Sequence, residues 1–156
     1  MKYWRIILLI GAMVGAFRTQ AEDLSGLVLN IIDVSAVAET SEIVVHAVLT
    51  NNGKSKIKLE NWIETGWGSN LDLTLIPKIE PASRQMPPIT SSGTISNIVR
   101  RTSIVIAPGE SVKLTGVFNP KRDAGVYNLS VSLRAMQNCV SKSRTVNLME
   151  SKGKTK

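Results

Sequence analysis

Apolar and polar residues alternate along most of the chain from Leu27 onward, and this period of two predicts β-strands rather than helices. Successive side chains of an extended segment point to opposite faces of a sheet. The clearest example is 127–135, where apolar residues occupy the odd positions and polar residues the even ones. Residues 43–49 are apolar on both faces apart from His46, which is typical of a strand in mid-sheet. The pattern predicts eight strands, near residues 27–34, 42–50, 55–60, 71–77, 102–107, 111–118, 126–135 and 144–149.

Turn-forming residues separate these segments. Asn51-Asn52-Gly53 follows the second predicted strand, and because Asn and Gly tolerate positive φ we expect a tight reversal there. Pro108-Gly109-Glu110 and the segment 119–125, which contains Pro120, separate later strands. Many short strands with regular turns indicate an all-β sandwich or barrel.

Two stretches depart from the alternation. Residues 61–70 place Trp62 and Trp67 among Gly and Asn, and residues 80–98 are rich in Pro, Ser and Thr. A loop as long as 80–98 is uncommon unless it is functional or disordered.

The first 21 residues have the composition of a cleavable secretory signal peptide. Lys2 and Arg5 form a basic start, and an apolar or small stretch of twelve residues follows at 6–17. A signal core is about 7–15 residues long, whereas a membrane span needs about 20. Small residues favour cleavage after Ala21, with Ala16 as the alternative. We therefore expect an exported protein, periplasmic or secreted in a bacterium, without stable membrane insertion after cleavage.

Length and charge restrict the class of the mature chain. The residues after the signal suit one domain, predicted over 22–150, with a basic flexible tail at 151–156. The net charge is +7, but residues 22–150 carry 13 Lys and Arg against 12 Asp and Glu. Nucleic-acid binding normally requires a clustered basic face, so no nucleic-acid partner is predicted.

The residues of common catalytic and metal sites are scarce. Cys139 and His46 are the single cysteine and the single histidine, which excludes a zinc site of usual composition. No internal disulfide can form, and Cys139 is interpreted as a small buried side chain, an intermolecular disulfide partner or a free thiol. We interpret His46 as a strand histidine bonded to a neighbour. No catalytic motif or phosphate-binding loop occurs, so we predict no enzyme activity, no metal and no cofactor.

The segment Asp123-Ala124-Gly125-Val126-Tyr127-Asn128-Leu129 resembles the motif that opens strand F in immunoglobulin-type domains, and bacterial immunoglobulin-like modules share this order of strands and turns. The resemblance implies a single immunoglobulin-like Greek-key sandwich of about seven to eight strands. It implies that Tyr127 is the tyrosine corner, bonded back to the backbone, and that Gly125 is the turn glycine. Leu129 stands where the disulfide cysteine would be, which departs from antibody-type domains. One group of such modules is named for a proteinase inhibitor, so inhibition is an alternative function.

A second, local resemblance covers residues 49–64. Leu49-Thr50-Asn51-Asn52-Gly53 followed by Trp62-Ile63-Glu64 is similar to the N-terminal domain of periplasmic pilus chaperones. Those chaperones have two domains and lend a strand to an open sheet edge. A chaperone-like protein is therefore a further alternative, although this chain has room for one domain.

The remaining candidate residues suggest binding. Trp62 suits the buried tryptophan of a sandwich, whereas Trp67, between two glycines, is either a lid over the core or a stacking platform for sugar or peptide. The run Met86-Pro87-Pro88-Ile89 is either a surface crossover or an extended segment that docks a partner. We expect a non-enzymatic module that contacts another protein through a sheet edge or the 80–98 loop; a carbohydrate-binding module using Trp67 is the alternative.

Overall fold

The strands predicted from alternation form in the computed structural model, which describes residues 26–37, 42–64, 70–78, 86–93 and 101–148. The predicted signal peptide at 1–21 and the tail at 151–156 lie outside these ranges. Within them, no helix is long and apolar enough to span a membrane. The described residues form ten strands: β1 (Leu27–Val37), β2 (Glu42–Asn51), β3 (Ile57–Ile63), β4 (Leu71–Pro77), β5 (Ile89–Ser92), β6 (Arg101–Ile106), β7 (Ser111–Phe118), β8 (Gly125–Leu133), β9 (Met136–Val140) and β10 (Arg144–Leu148).

The strands form antiparallel sheets of an all-β sandwich. One sheet has the order β1-β2-β7, so the doubly apolar strand β2 lies in the middle, as predicted. A second sheet has the order β10-β8-β4-β5, with β9 also paired to β8. Strands β3 and β6 pair with each other. The all-β sandwich predicted from the alternation is confirmed.

Alternation decides which side chains form the core. The odd positions of β8 from Tyr127 to Leu133 are buried and lie opposite the odd positions of β4, with Leu129 paired to Leu75 and Leu133 to Leu71. Because both strands present apolar residues at the same register, their side chains pack on one face. The fully buried large side chains are Phe118, Ile43, Leu49, Leu71, Leu73, Leu75, Ile106, Leu129, Leu133, Leu148, Val45 and Val131.

Two of the ten strands are absent from the sequence prediction. The predicted strand 126–135 ends at Leu133, and a turn at Arg134 and Ala135 leads into β9. Ala135 is therefore exposed in a turn rather than buried on a strand face. Strand β5 lies within the Pro- and Ser-rich stretch interpreted as a loop, where its polar residues lack a long apolar alternation. The count of seven to eight strands is accordingly too low.

The expected tight reversal at Asn51-Asn52-Gly53 is wrong. Strand β2 pairs with β1 and β7, whereas β3 pairs with β6, so β2 and β3 do not form a hairpin. Among the described glycines only Gly109 (φ 79°) has a clearly left-handed backbone, and Gly53 does not. The segment is a corner between the β1-β2-β7 sheet and the β3–β6 pair, held by the buried Asn51 side chain.

Hydrogen bonds of Asn51 hold this corner together. The Asn51 amide nitrogen Nδ2 donates to the carbonyl oxygens of Ser55 (2.8 Å) and Ile106 (2.9 Å). The Asn51 Oδ1 accepts from the backbone N–H of Gly53 at 2.9 Å. The Asn51 backbone N–H donates to the Glu110 carbonyl oxygen, which joins the corner to the start of β7.

Candidate binding cleft

A cleft of about 710 Å³ lies where β4 ends and β8 begins. It is formed by three chain segments: the end of β4, the start of β5 with Met86, and the connection from β7 to β8. It is lined by Pro77, Lys78, Met86, Ile89, Lys121, Arg122, Asp123, Ala124, Gly125, Val126 and Tyr127. Four of the residues singled out in the sequence (Met86, Ile89, Gly125 and Tyr127) are therefore placed together.

Two hydrogen bonds fix one wall of the cleft. The Tyr127 hydroxyl donates to the backbone carbonyl of Asp123 at 2.8 Å, the bond that the tyrosine-corner resemblance implies. The ring of Tyr127 is buried in the core, so it anchors the 121–127 connection to the sandwich. The backbone N–H of Lys78 donates to the Val126 carbonyl at 2.8 Å and joins the end of β4 to the same wall. Gly125, the expected turn glycine, is the first residue of β8 and pairs with Leu148.

The segment 86–89 carries the predicted partner-docking residues. Met86, Pro87 and Pro88 are exposed, and Ile89 is half-buried at the start of β5, where it pairs with Leu75. Met86 and Ile89 line the cleft, whereas Pro87 and Pro88 are not among the lining residues. The side chain of Met86 is 52% exposed, although it is large and apolar.

The cleft combines apolar contacts with positive charge. Among the described residues that line it, Lys78, Lys121 and Arg122 are basic, and Asp123 is the one carboxylate. The lysines are exposed and Arg122 is half-buried. Within the described ranges neither Lys78 nor Lys121 forms an ion pair. With Met86 and Val126 also exposed, the surface can bind a ligand that is both apolar and negatively charged.

The two tryptophans singled out in the sequence differ in what the structure describes. Trp62 lies in β3, where it is buried in the core cluster and pairs with Thr102. It therefore occupies the core, as expected for a sandwich tryptophan. Trp67 lies outside the described residues, and the sugar-stacking interpretation stays a prediction.

The surroundings of His46 and Cys139 fit a structural role for both residues. The His46 Nδ1 is 3.0 Å from the Thr115 hydroxyl on the adjacent β7, which is the expected bond to a strand neighbour. Cys139 is buried and free, and burial raises the pKa of its thiol above the usual value of 9.0. Among the described residues, no group of three or more His, Cys, Asp or Glu side chains is placed to hold a metal ion.

The sequence pattern does not identify the charged residues of the cleft as parts of one site. Lys78 lies one residue beyond a predicted strand, and Lys121 lies in a predicted turn. Asp123 and Val126 belong to the strand-opening motif, which by itself assigns them no binding role. Their grouping depends on the β4–β8 pairing, which places Pro77 opposite Tyr127. A usable signal is the run of charged residues Lys121, Arg122 and Asp123, which ends at the first residue of the motif.

Comparisons with known proteins identify no family. No protein-family model and no curated protein match the chain. Among solved structures, β-glucosidase 3B from Thermotoga neapolitana in complex with glucose is similar with a TM-score of 0.47 and 17% identity, over 80% of this chain and 16% of that chain. Spo0M, a sporulation control protein from Bacillus subtilis, is similar with a TM-score of 0.40 and 15% identity, over 81% of this chain and 49% of that chain. The chain thus spans less than half the length of each.

Proposed function

We propose that this chain is an exported, non-enzymatic binding module that contacts another envelope or secreted protein through the cleft between 77–78, 86–89 and 121–127. The observation that carries the proposal is the exposure of the large apolar side chains Met86 and Val126 at a cleft of which one wall is fixed by hydrogen bonds. Exposed apolar groups gathered at a concave, charged surface are typical of binding sites. Export is supported by the basic and apolar pattern of residues 1–21.

The construction of the cleft favours a binding role over a structural one. The Tyr127 hydroxyl and the Lys78 backbone hold two of its segments in place without covering Met86 or Val126. A preformed site loses little conformational entropy when a partner binds. The apolar side chains of the cleft are thus positioned to contact a partner while the core remains intact.

We also infer that the sandwich is immunoglobulin-like. The inference is supported by the Tyr127 bond to the Asp123 carbonyl at the opening of β8, and by two antiparallel sheets that share one core. An experimental structure checks it. A strand order other than β1-β2-β7 facing β10-β8-β4-β5 would contradict the inference.

Site-specific photo-crosslinking tests the binding role. Benzoylphenylalanine at Met86 places the photoreactive group in the cleft, and the same residue at Val105 is the matched control. Val105 is an apolar β6 residue of comparable exposure, 56% against 52%, outside the cleft. In cells of the native host, we expect a discrete crosslinked protein from position 86 and none from position 105.

The control defines the result that would contradict the proposal. Both variants must keep the circular dichroism spectrum of the unmodified protein, so that a negative result reports on contact rather than on folding. No adduct at position 86 in folded protein, or the same adduct from both positions, would reject the cleft as the contact surface. Glycan binding by the folded protein, with no protein adduct, would favour the carbohydrate alternative.

A further inference from the structure

We infer that the partner contributes an acidic, extended chain segment to the cleft, with its carboxylates at Lys78 and Lys121 and an apolar side chain at Met86 and Val126. This inference rests on the proposed function and names the chemistry of the partner at the same site.

The charge of the cleft indicates an acidic partner. Lys78 and Lys121 are exposed and line the cleft together with Val126, and within the described ranges neither ammonium has a carboxylate partner. Among the lining residues that the structure describes, Asp123 is the single carboxylate. Complementary charge guides association and disfavours partners of the wrong sign. A neutral or basic segment would therefore bind less well at this surface.

The apolar side chains distinguish a peptide from a simple anion. Met86 and Val126 are 52% and 40% exposed beside the lysines. An inorganic anion would satisfy the ammonium groups and leave these side chains in water. A segment with neighbouring acidic and apolar residues would contact both. The volume of about 710 Å³ falls in the range of about 300–1,000 Å³ found for ligand sites, and it accommodates more than one side chain.

The neighbouring sheet edge favours an extended conformation. Among the described strands, β5 pairs only with β4, and its first residue, Ile89, also lines the cleft. A segment bound at Ile89 therefore lies beside a strand that has one edge not covered by the described strands. Extended segments commonly bind beside such edges, where alternate side chains enter pockets.

Selection from a phage-displayed library of linear peptides tests the inference without requiring that the partner be identified. Peptides are selected on the folded protein, and the dominant sequence is synthesised with a fluorophore for anisotropy titration. We expect Asp or Glu next to an apolar residue in the selected sequences. Replacing those acids by Asn or Gln should weaken binding several-fold, and raising the salt concentration should weaken it further because exposed ion pairs are screened.

Charge reversal on the protein locates the site. Lys121→Glu should weaken binding of the acidic peptide roughly three- to tenfold, since one exposed attraction becomes a repulsion. Lys113→Glu is the matched control, because Lys113 is an exposed lysine on β7 outside the cleft, and it should leave the affinity unchanged. Both variants must retain the wild-type circular dichroism spectrum.

The outcomes separate this inference from the proposed function. The inference of an acidic segment would be overturned if the selected peptides were neutral or basic. Equal effects of Lys121→Glu and Lys113→Glu would also overturn it. If Met86 still crosslinked a partner in that case, the binding role would stand and only its chemistry would be wrong. Displacement of the peptide by heparin or by phosphatidylglycerol vesicles at equal charge concentration would also overturn it, because a general anion site would explain the binding. A dimer of the folded chain that the peptide dissociates, seen by analytical ultracentrifugation, would overturn the separate partner.

Discussion

Replacing Asn51 by alanine tests whether a buried amide holds the corner between the β1-β2-β7 sheet and the β3–β6 pair. The Asn51 side chain is 0% exposed and participates in three hydrogen bonds, two from Nδ2 to the Ser55 and Ile106 carbonyls and one from the Gly53 N–H to Oδ1. Alanine removes all three bonds. It also leaves the Ile106 carbonyl without its side-chain donor in a buried site.

The loss of these three bonds determines how far the protein should be destabilised. Each net hydrogen bond contributes about 0.5–1.5 kcal/mol, so losing three lowers the free energy of unfolding by about 3 kcal/mol. Small proteins have urea m-values of about 1–3 kcal/mol/M, so the midpoint should fall by about 1–3 M. Equilibrium urea unfolding, followed by tryptophan fluorescence, measures the shift. Such a loss is a large part of the stability of a small domain, about 5–15 kcal/mol.

Asn52→Ala is the control, because Asn52 lies in the same segment and its side chain is exposed. The hydrogen bond of Asn52 at this corner runs from its backbone N–H to the Gly26 carbonyl, and alanine retains it. We expect the control to unfold within about 0.5 kcal/mol of the wild type, as is usual for surface substitutions. Equal stability of Asn51→Ala and Asn52→Ala would refute the assigned role of the buried amide.

Three further changes test the cleft and the core. Tyr127→Phe removes the hydrogen bond to Asp123 and should lower the free energy of unfolding in urea by about 1 kcal/mol. It should also reduce crosslinking from the cleft, and unchanged crosslinking would show that this bond does not support the site. Gly26→Ala should destabilise by about 1–3 kcal/mol, because its Cβ would lie 2.6 Å from the backbone of Gly53; a wild-type urea midpoint would contradict this. Burial raises the pKa of the Cys139 thiol in the folded protein above the unfolded value of about 9.0. The free energy of unfolding is therefore at its full value below the unfolded pKa and falls as pH rises through the folded pKa. Unfolding titrations at rising pH should therefore show a smaller loss for Cys139→Ala than for the wild type, and identical pH profiles would contradict this.

The strands that the sequence predicts are those in which burial imposes alternation. Residues 127–133 alternate because β8 has a buried core face and pairs with β4, β9 and β10 on its edges. Strand β5 has one apolar residue, Ile89, and the apolar residues of β9 do not alternate. Both strands lie at the margins of the sheet, so burial leaves little pattern in them. Alternation alone does not locate the end of a strand. Ala135 is apolar and has the correct spacing, but β8 ends at Leu133 and Ala135 lies in the turn that follows.

The corner at Asn51 differs from its prediction for another physical reason. A turn motif predicts that the chain changes direction, but it does not state which strand the next segment pairs with. Gly26 has no room for a Cβ, because that atom would lie 2.6 Å from the backbone of Gly53, a residue far from it in the sequence. Long-range contacts of this kind leave no local periodicity, so the pairing of β3 with β6 could not be predicted from the residues between β2 and β3.

The cleft has the same dependence on long-range contact, and this bears on how it would bind. Tyr127 belongs to the core through its ring and to the cleft wall through its hydroxyl, so the wall takes its position from the packing of β8 against β4. Lys78 is tied to Val126 by a backbone bond that a side-chain substitution does not remove. Lys78→Glu should therefore change the charge of the cleft while leaving its backbone shape intact. Affinity for an acidic segment should then fall with little change in the free energy of unfolding, whereas a parallel loss of stability would mean that the lysine supports the fold rather than the partner.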